Sequence, residues 1–141
     1  MQTFLPSPNF KRSAQILDYR RLGKQRIEAK QILLALQGSS SGWSHHPAVH
    51  MWRGHEWQLC QYGIAMCQEW RARGYVDNQL EWFVAQSKQY RSRKLPKWVG
   101  SRKFHAAHRS NLLRKDREFY RWFYWKEPST LEYVWPIKKS G

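Results

Sequence analysis

Acidic residues are scarce in this chain. Ten Asp and Glu stand against 25 Lys and Arg among 141 residues, a formal charge of +15. That excess predicts a strong field for polyanions and a steep salt dependence of binding. Cysteine is nearly absent. Cys60 and Cys67 lie seven apart on an expected helix, too far apart to bridge, so they read as reduced core thiols of a cytoplasmic protein. There is no CxxC and no HExxH, which removes the common zinc patterns. No apolar run is long enough for a signal peptide or a membrane span, and there are no repeats.

Large aromatics are abundant. Nine tryptophans, seven tyrosines and six phenylalanines give the chain a core, so it is not a disordered basic tail. Its length suits a single domain over residues 1–141. Aromatic and cationic residues interleave most densely in HAAHRSNLLRKDREFYRWFYWKEP, residues 105–128. Cations meet phosphate, and flat rings can stack on bases or wedge between them. DNA or RNA is therefore the leading partner class.

Periodicity and breakers predict an all-α domain of three to four helices. The first runs from about Phe10 to Leu36 and stops at a flexible loop over residues 37–42. His46-Pro47 opens a second, ending near Arg73 before Gly74. A short third covers about 77–89. A basic, irregular stretch over 90–102 looks like a loop on the DNA side, and a last long helix runs from about Lys103 to Trp125.

Helical wheels place polar residues on apolar faces. Asp18, Arg21, Gln25 and Glu28 fall within the first helix's apolar arc, Glu56 within the second's, and His108 and Lys115 within the last's. Buried charge is costly unless paired or functional. These residues are expected to meet in one partly buried cluster, which is either an ion-pair network fixing helix register or a site with tuned carboxylates. Arg20, Lys24, Arg26, Arg53, Arg102, Arg109 and Arg114 are the phosphate-contact candidates, joined by His45, His46, His108, Asn111 and Lys115. The spacing of His45, His46, His50 and His55 is poor for a metal, and neither metal nor cofactor is expected.

The segments SAQILDYRRLGKQRIEAKQIL, HHPAVHMWRGHE, HAAHRSNLLRKD and YVWP resemble the pyrimidine-dimer DNA glycosylases of the endonuclease V type, and more closely a bacterial branch of that family. The resemblance implies an all-α fold and a glycosylase coupled to an abasic-site lyase, acting on double-stranded DNA that is bent with a base turned out. The N-terminal α-amine, here that of Met1, attacks C1′. A glutamate on the first helix supports it, and arginines grip phosphates. An α-amine has an ordinary pKa of about 7.7–8.0, so a neutral fraction exists near pH 7.

Two departures stand out. Position 2 is Gln where the phage pattern has a small residue, which keeps Met1 in place as the amine; Lys115 or Lys24 is the alternative imine former, and a carboxylate-activated water the alternative without a lyase. Arg21 occupies the position of the family glutamate, so Glu28 is favoured for its role, with Asp18 and Glu56 next and Arg21 and Gln25 on the same face. The base is a pyrimidine dimer or a bulky modified pyrimidine, the latter fitting a defence role. A non-catalytic DNA binder is the competing class, and a metal-dependent nuclease, which EDTA would stop, is the third. Nothing requires more than a monomer.

If the basic side chains contact phosphate, replacing one of Arg20, Lys24 or Arg53 by Ala weakens binding equally on duplexes of different sequence. The slope of log affinity against log salt then falls by about one, read from a NaCl titration.

Overall fold

The computed structural model describes residues 1–39 and 45–136. Among these there are seven α-helices, one 3-10 turn and no strand, in line with the all-α expectation. The helices are α1 (Phe10–Ile16), α2 (Tyr19–Leu36), α3 (Pro47–His50), α4 (Glu56–Ala72), α5 (Leu80–Ser87), α6 (Arg102–Lys115) and α7 (Arg117–Tyr120), followed by the turn Arg121–Phe123. Helix α4 is the hub, packed against α1, α2 and α5. Of the loop expected over 37–42, residues 40–42 lie outside the described residues.

Each of the three long helices expected from periodicity is interrupted, because a polar side chain or a glycine wins locally over the apolar repeat. The first breaks at Leu17–Asp18, both extended. Asp18 caps α2 by accepting the Arg21 N–H at 3.4 Å, as short acceptors do at an N-cap. Its own N–H donates to the Tyr120 hydroxyl at 3.0 Å, and that hydroxyl donates to its carboxylate. Arg73 donates to the carbonyls of Ala14, Gln15 and Leu17 at 3.2, 3.2 and 2.7 Å. These are among the carbonyls that the end of α1 leaves without a helical partner.

The second expected helix is cut between α3 and α4 by Gly54, whose φ of +85° suits glycine. The last is cut at Asp116, which leaves helical geometry and recaps α7 through the Phe119 N–H at 3.2 Å. The chain leaves the final turn through Tyr124 at φ 54°.

The core gathers Leu5, Leu17, Leu22, Ile32, Leu33, Trp52, Leu59, Met66, Phe83, Phe104 and Tyr120. Cys60 and Cys67 are buried free thiols. Burial pushes the Cys60 thiol up to about 12 and raises that of Cys67 as well, so both stay protonated and act as small apolar groups. None of the described helices is long and apolar enough to cross a membrane.

Helices α4 and α5 approach closely at Gly63. A Cβ there would stand 2.5 Å from the fully buried Phe83 ring. Gly63→Val is expected to cost about 2–3 kcal/mol by overpacking, read as a lower urea midpoint at unchanged m-value.

Candidate active site

The first eight residues form no helix; residues 1–5 run without regular structure into the molecule and the chain bends at 6–8. Residues 2–6 are buried, and side chains from four elements hold the segment's backbone groups. Gln2 N–H donates to Glu28 Oε2 at 3.1 Å. Phe4 N–H donates to Gln25 Oε1 at 2.9 Å, and the Tyr62 hydroxyl reaches both the Phe4 carbonyl at 2.8 Å and Gln25 Oε1 at 2.6 Å. Leu5 N–H donates to His108 Nδ1 at 2.9 Å, and its carbonyl faces His105 Nδ1 at 2.7 Å. Arg109 donates to the Pro6 carbonyl at 2.9 Å. Ser13 bonds the Ser7 carbonyl and N–H at 2.8 and 3.2 Å. Side chains thus supply the partners that a buried extended backbone would otherwise lack.

These bonds fix tautomers. Gly100 N–H donates to His105 Nε2 at 2.8 Å, so the His105 proton sits on Nδ1 and goes to the Leu5 carbonyl. On His108 the acceptor is Nδ1, so the proton is on Nε2. Burial lowers both rings, His108 to about 3, which keeps both neutral near pH 7.

The segment's start opens into a cleft of about 740 Å3, lined by residues of the N-terminal segment, α2, the α6–α7 junction and the tail. Four basic side chains (Arg20, Arg21, Lys24 and Lys115) and three acidic ones (Asp18, Glu28 and Asp116) share it with Met1, Gln2, Phe4, Tyr19, Gln25, Phe119 and Tyr133. Glu28 Oε2 accepts from Gln25 Nε2 at 3.0 Å as well as from Gln2, while Oε1 takes neither bond. Gln25 is thereby oriented at both ends, its oxygen toward Phe4 and its nitrogen toward Glu28. Asp18 is committed to Tyr120, to the cap and to Arg21 Nη1 at 3.2 Å.

His46 stands near by. It caps α3 by accepting the Ala48 N–H at 3.0 Å and meets Trp135 edge-on. Burial lowers its pKa first, and the positive charge of the N-terminus lowers it further.

Of the expected polar cluster, the structure brings Asp18, Arg21, Gln25, Glu28 and Lys115 together with Met1. It does not bring Glu56, which accepts the Gly54 N–H at 3.1 Å at the start of α4, away from the cleft. His108 does not line the cleft either. It is fully buried behind Phe4 and Tyr133, out of reach of a phosphate. Asn111 is buried too and donates to the carbonyls of Ala107 and Leu131.

Three of the arginines taken as phosphate contacts are struts. Arg26 pairs with Asp77 and lies over Trp70. Arg109 pairs with Glu127, and Arg114 holds the Ser129 carbonyl at 2.6 Å and Asn111. Arg20, Lys24, His45, Arg53, Arg102 and Lys115 are exposed. The stretch over 90–102 is irregular up to α6 and strapped to α4 by Gln58 through the Arg93 carbonyl at 2.7 Å; it does not line the cleft. Among the described residues no group of three or more His, Cys, Asp or Glu could hold a metal.

Sequence reasoning missed Tyr62, Phe119 and Tyr133. Tyr133 had a signal as part of YVWP, and Phe119 lies in the stretch over 105–128 where rings and cations interleave; Tyr62 had none. Burial pushes the Tyr133 hydroxyl up to about 12, so it stands protonated at the cleft wall.

The family model for pyrimidine dimer DNA glycosylase matches residues 1–82. The chain belongs to the pyrimidine dimer DNA glycosylase family. No curated protein and no solved structure matches it. The matched span of the glycosylase contains the whole N-terminal segment and α2, hence Met1, Gln25 and Glu28. Lys115, Asp116, Phe119 and Tyr133 complete the cleft from beyond it. Family membership makes DNA the substrate.

The neutral histidines give a sign for acid sensitivity. The folded His108 binds its proton only near pH 3, whereas the unfolded chain binds it near 6.5. Stability is therefore full above pH 6.5 and drains as pH falls toward 3. His108→Gln keeps an acceptor for Leu5 without titrating. Between pH 7.5 and 4.5 it is expected to lose less stability than the wild type in urea melts, the carboxylate contribution being common to both.

Proposed function

We propose that this protein breaks the N-glycosyl bond of a damaged pyrimidine in duplex DNA by attack of the Met1 α-amine at C1′, and then cleaves the strand as a lyase. The observation that carries the reading is the 3.1 Å bond from Gln2 N–H to Glu28 Oε2. It sets a carboxylate one peptide unit from the Met1 amine, inside a cleft large enough for a nucleoside.

The amine lone pair forms a bond to C1′ as the C1′–N1 bond breaks. The bonding pair leaves on the base, and the proton shed by the amine ends there. Ring opening of the sugar gives an imine. Glu28 stabilises the cationic sugar and afterwards takes the C2′ proton that starts strand cleavage. Arg20, Arg21, Lys24 and Lys115 face the same cleft and balance the phosphates of the bound strand. C1′ is shielded within a stacked duplex, so the nucleotide turns out of the helix, with Phe119 and Tyr133 as apolar cleft walls. Lys24 and Lys115 are the other amines within the cleft.

Borohydride reduction on UV-irradiated duplex, beside a duplex with one abasic site, is expected to leave an adduct on the Met1 peptide. An adduct on Lys24 or Lys115 would move the nucleophile, and none on either duplex would remove the amine mechanism. Glu28→Gln is expected to slow base release by about 10²–10⁴-fold while duplex affinity holds or tightens.

A further inference from the structure

Gln2 is only 5% exposed, and it lines the cleft. Its amide orientation is fixed, because Oε1 accepts the Thr3 N–H at 2.9 Å. The amide nitrogen is then left buried without a hydrogen-bond partner. Buried polar groups are nearly always satisfied, so an orphan donor at a cleft calls for an explanation. This one adjoins the residue that carries the amine, and its own N–H is bound to Glu28.

The chemistry lacks one element that such a donor supplies. When C1′–N1 breaks, the bonding pair leaves on the pyrimidine and negative charge spreads onto its carbonyl oxygens. The cationic side chains of the cleft serve phosphate, and Glu28 serves the sugar. A neutral N–H donor fixed beside the amine fits a developing carbonyl oxyanion and costs no reorganisation at the moment of reaction. The nitrogen is closed to solvent in the free protein. The backbone anchors begin at Gln2 and leave Met1 outside them, so the chain end is the part of the wall that can yield as substrate enters.

We propose that the Gln2 carboxamide binds the carbonyl oxygen of the departing pyrimidine and stabilises it as a leaving group. This rests on the amine mechanism above.

The test separates base release from strand cleavage. Gln2→Met has a similar length and removes the donor together with the acceptor for Thr3. It is assayed on UV-irradiated duplex and on a duplex with a preformed abasic site, which has no base to release, with thermal melting alongside. Base release is expected to fall on the order of 10²-fold, with abasic-site cleavage within about threefold of wild type. Equal losses on both duplexes at an unchanged melting temperature would assign the donor to the sugar–phosphate and overturn the proposal, as would unchanged base release. Should Gln2→Met fail to fold, Gln2→Glu at pH 8 decides by the same split, because it keeps the acceptor for Thr3. A wild type that gives neither base release nor a borohydride adduct sinks the underlying reading itself, a failure visible without any variant.

Discussion

The structure depends on hydrogen bonding to a buried stretch of backbone that belongs to no helix and no sheet. Residues 2–7 would leave a row of N–H and C=O groups without partners, a prohibitive cost in an apolar interior. Glu28 and Gln25 on α2, Tyr62 on α4, His105, His108 and Arg109 on α6 and Ser13 on α1 supply those partners. Several polar groups that look anomalous on helical wheels are explained by this one requirement. The same bonds that satisfy the segment also fix its course, so the stability of the segment and its path to the cleft come from a single set of contacts.

Electrostatics divides the basic residues into two populations. Arg26, Arg71, Arg73, Arg109 and Arg114 hold carboxylates or carbonyls and tie loops to helices. Arg20, Lys24, Arg53, Arg102 and Lys115 point outward and give the surface its field. Net charge therefore overstates the number of phosphate contacts available. It does describe the long-range attraction that brings DNA to the protein.

The α2 side of the site was legible because 3.6-residue periodicity is local. Asp18, Arg21, Gln25 and Glu28 share a face whatever the rest of the chain does, and they line the cleft together. Glu56 and His108 were grouped with them because both fall within the apolar arcs of their own helices. What an inward residue meets depends on how helices are set against each other, and no wheel contains that. The helix breaks at Asp18, Gly54 and Asp116 were hidden for a related reason. Each is held by partners distant in sequence or by a backbone angle, while the apolar repeat runs on through it. The burial of the N-terminal segment was invisible too, since two prolines and no periodicity mark residues 1–9 only as extended or irregular.

The partners of that segment also have consequences for how the protein comes to be folded. Leu5 and His108 are separated by 103 residues, and Leu5 and His105 by 100. In an otherwise helical protein dominated by local contacts, these are closures of very high contact order. Leu5 and Pro6 must wait, unsatisfied, until α6 has been made and docked. Helices α2 and α4 can form a core earlier and take up Gln2 and Phe4, but the anchoring of the segment is completed last. A partly folded molecule would carry the DNA-attracting charge before its cleft is assembled, and the docking of α6 supplies the last partners of the segment.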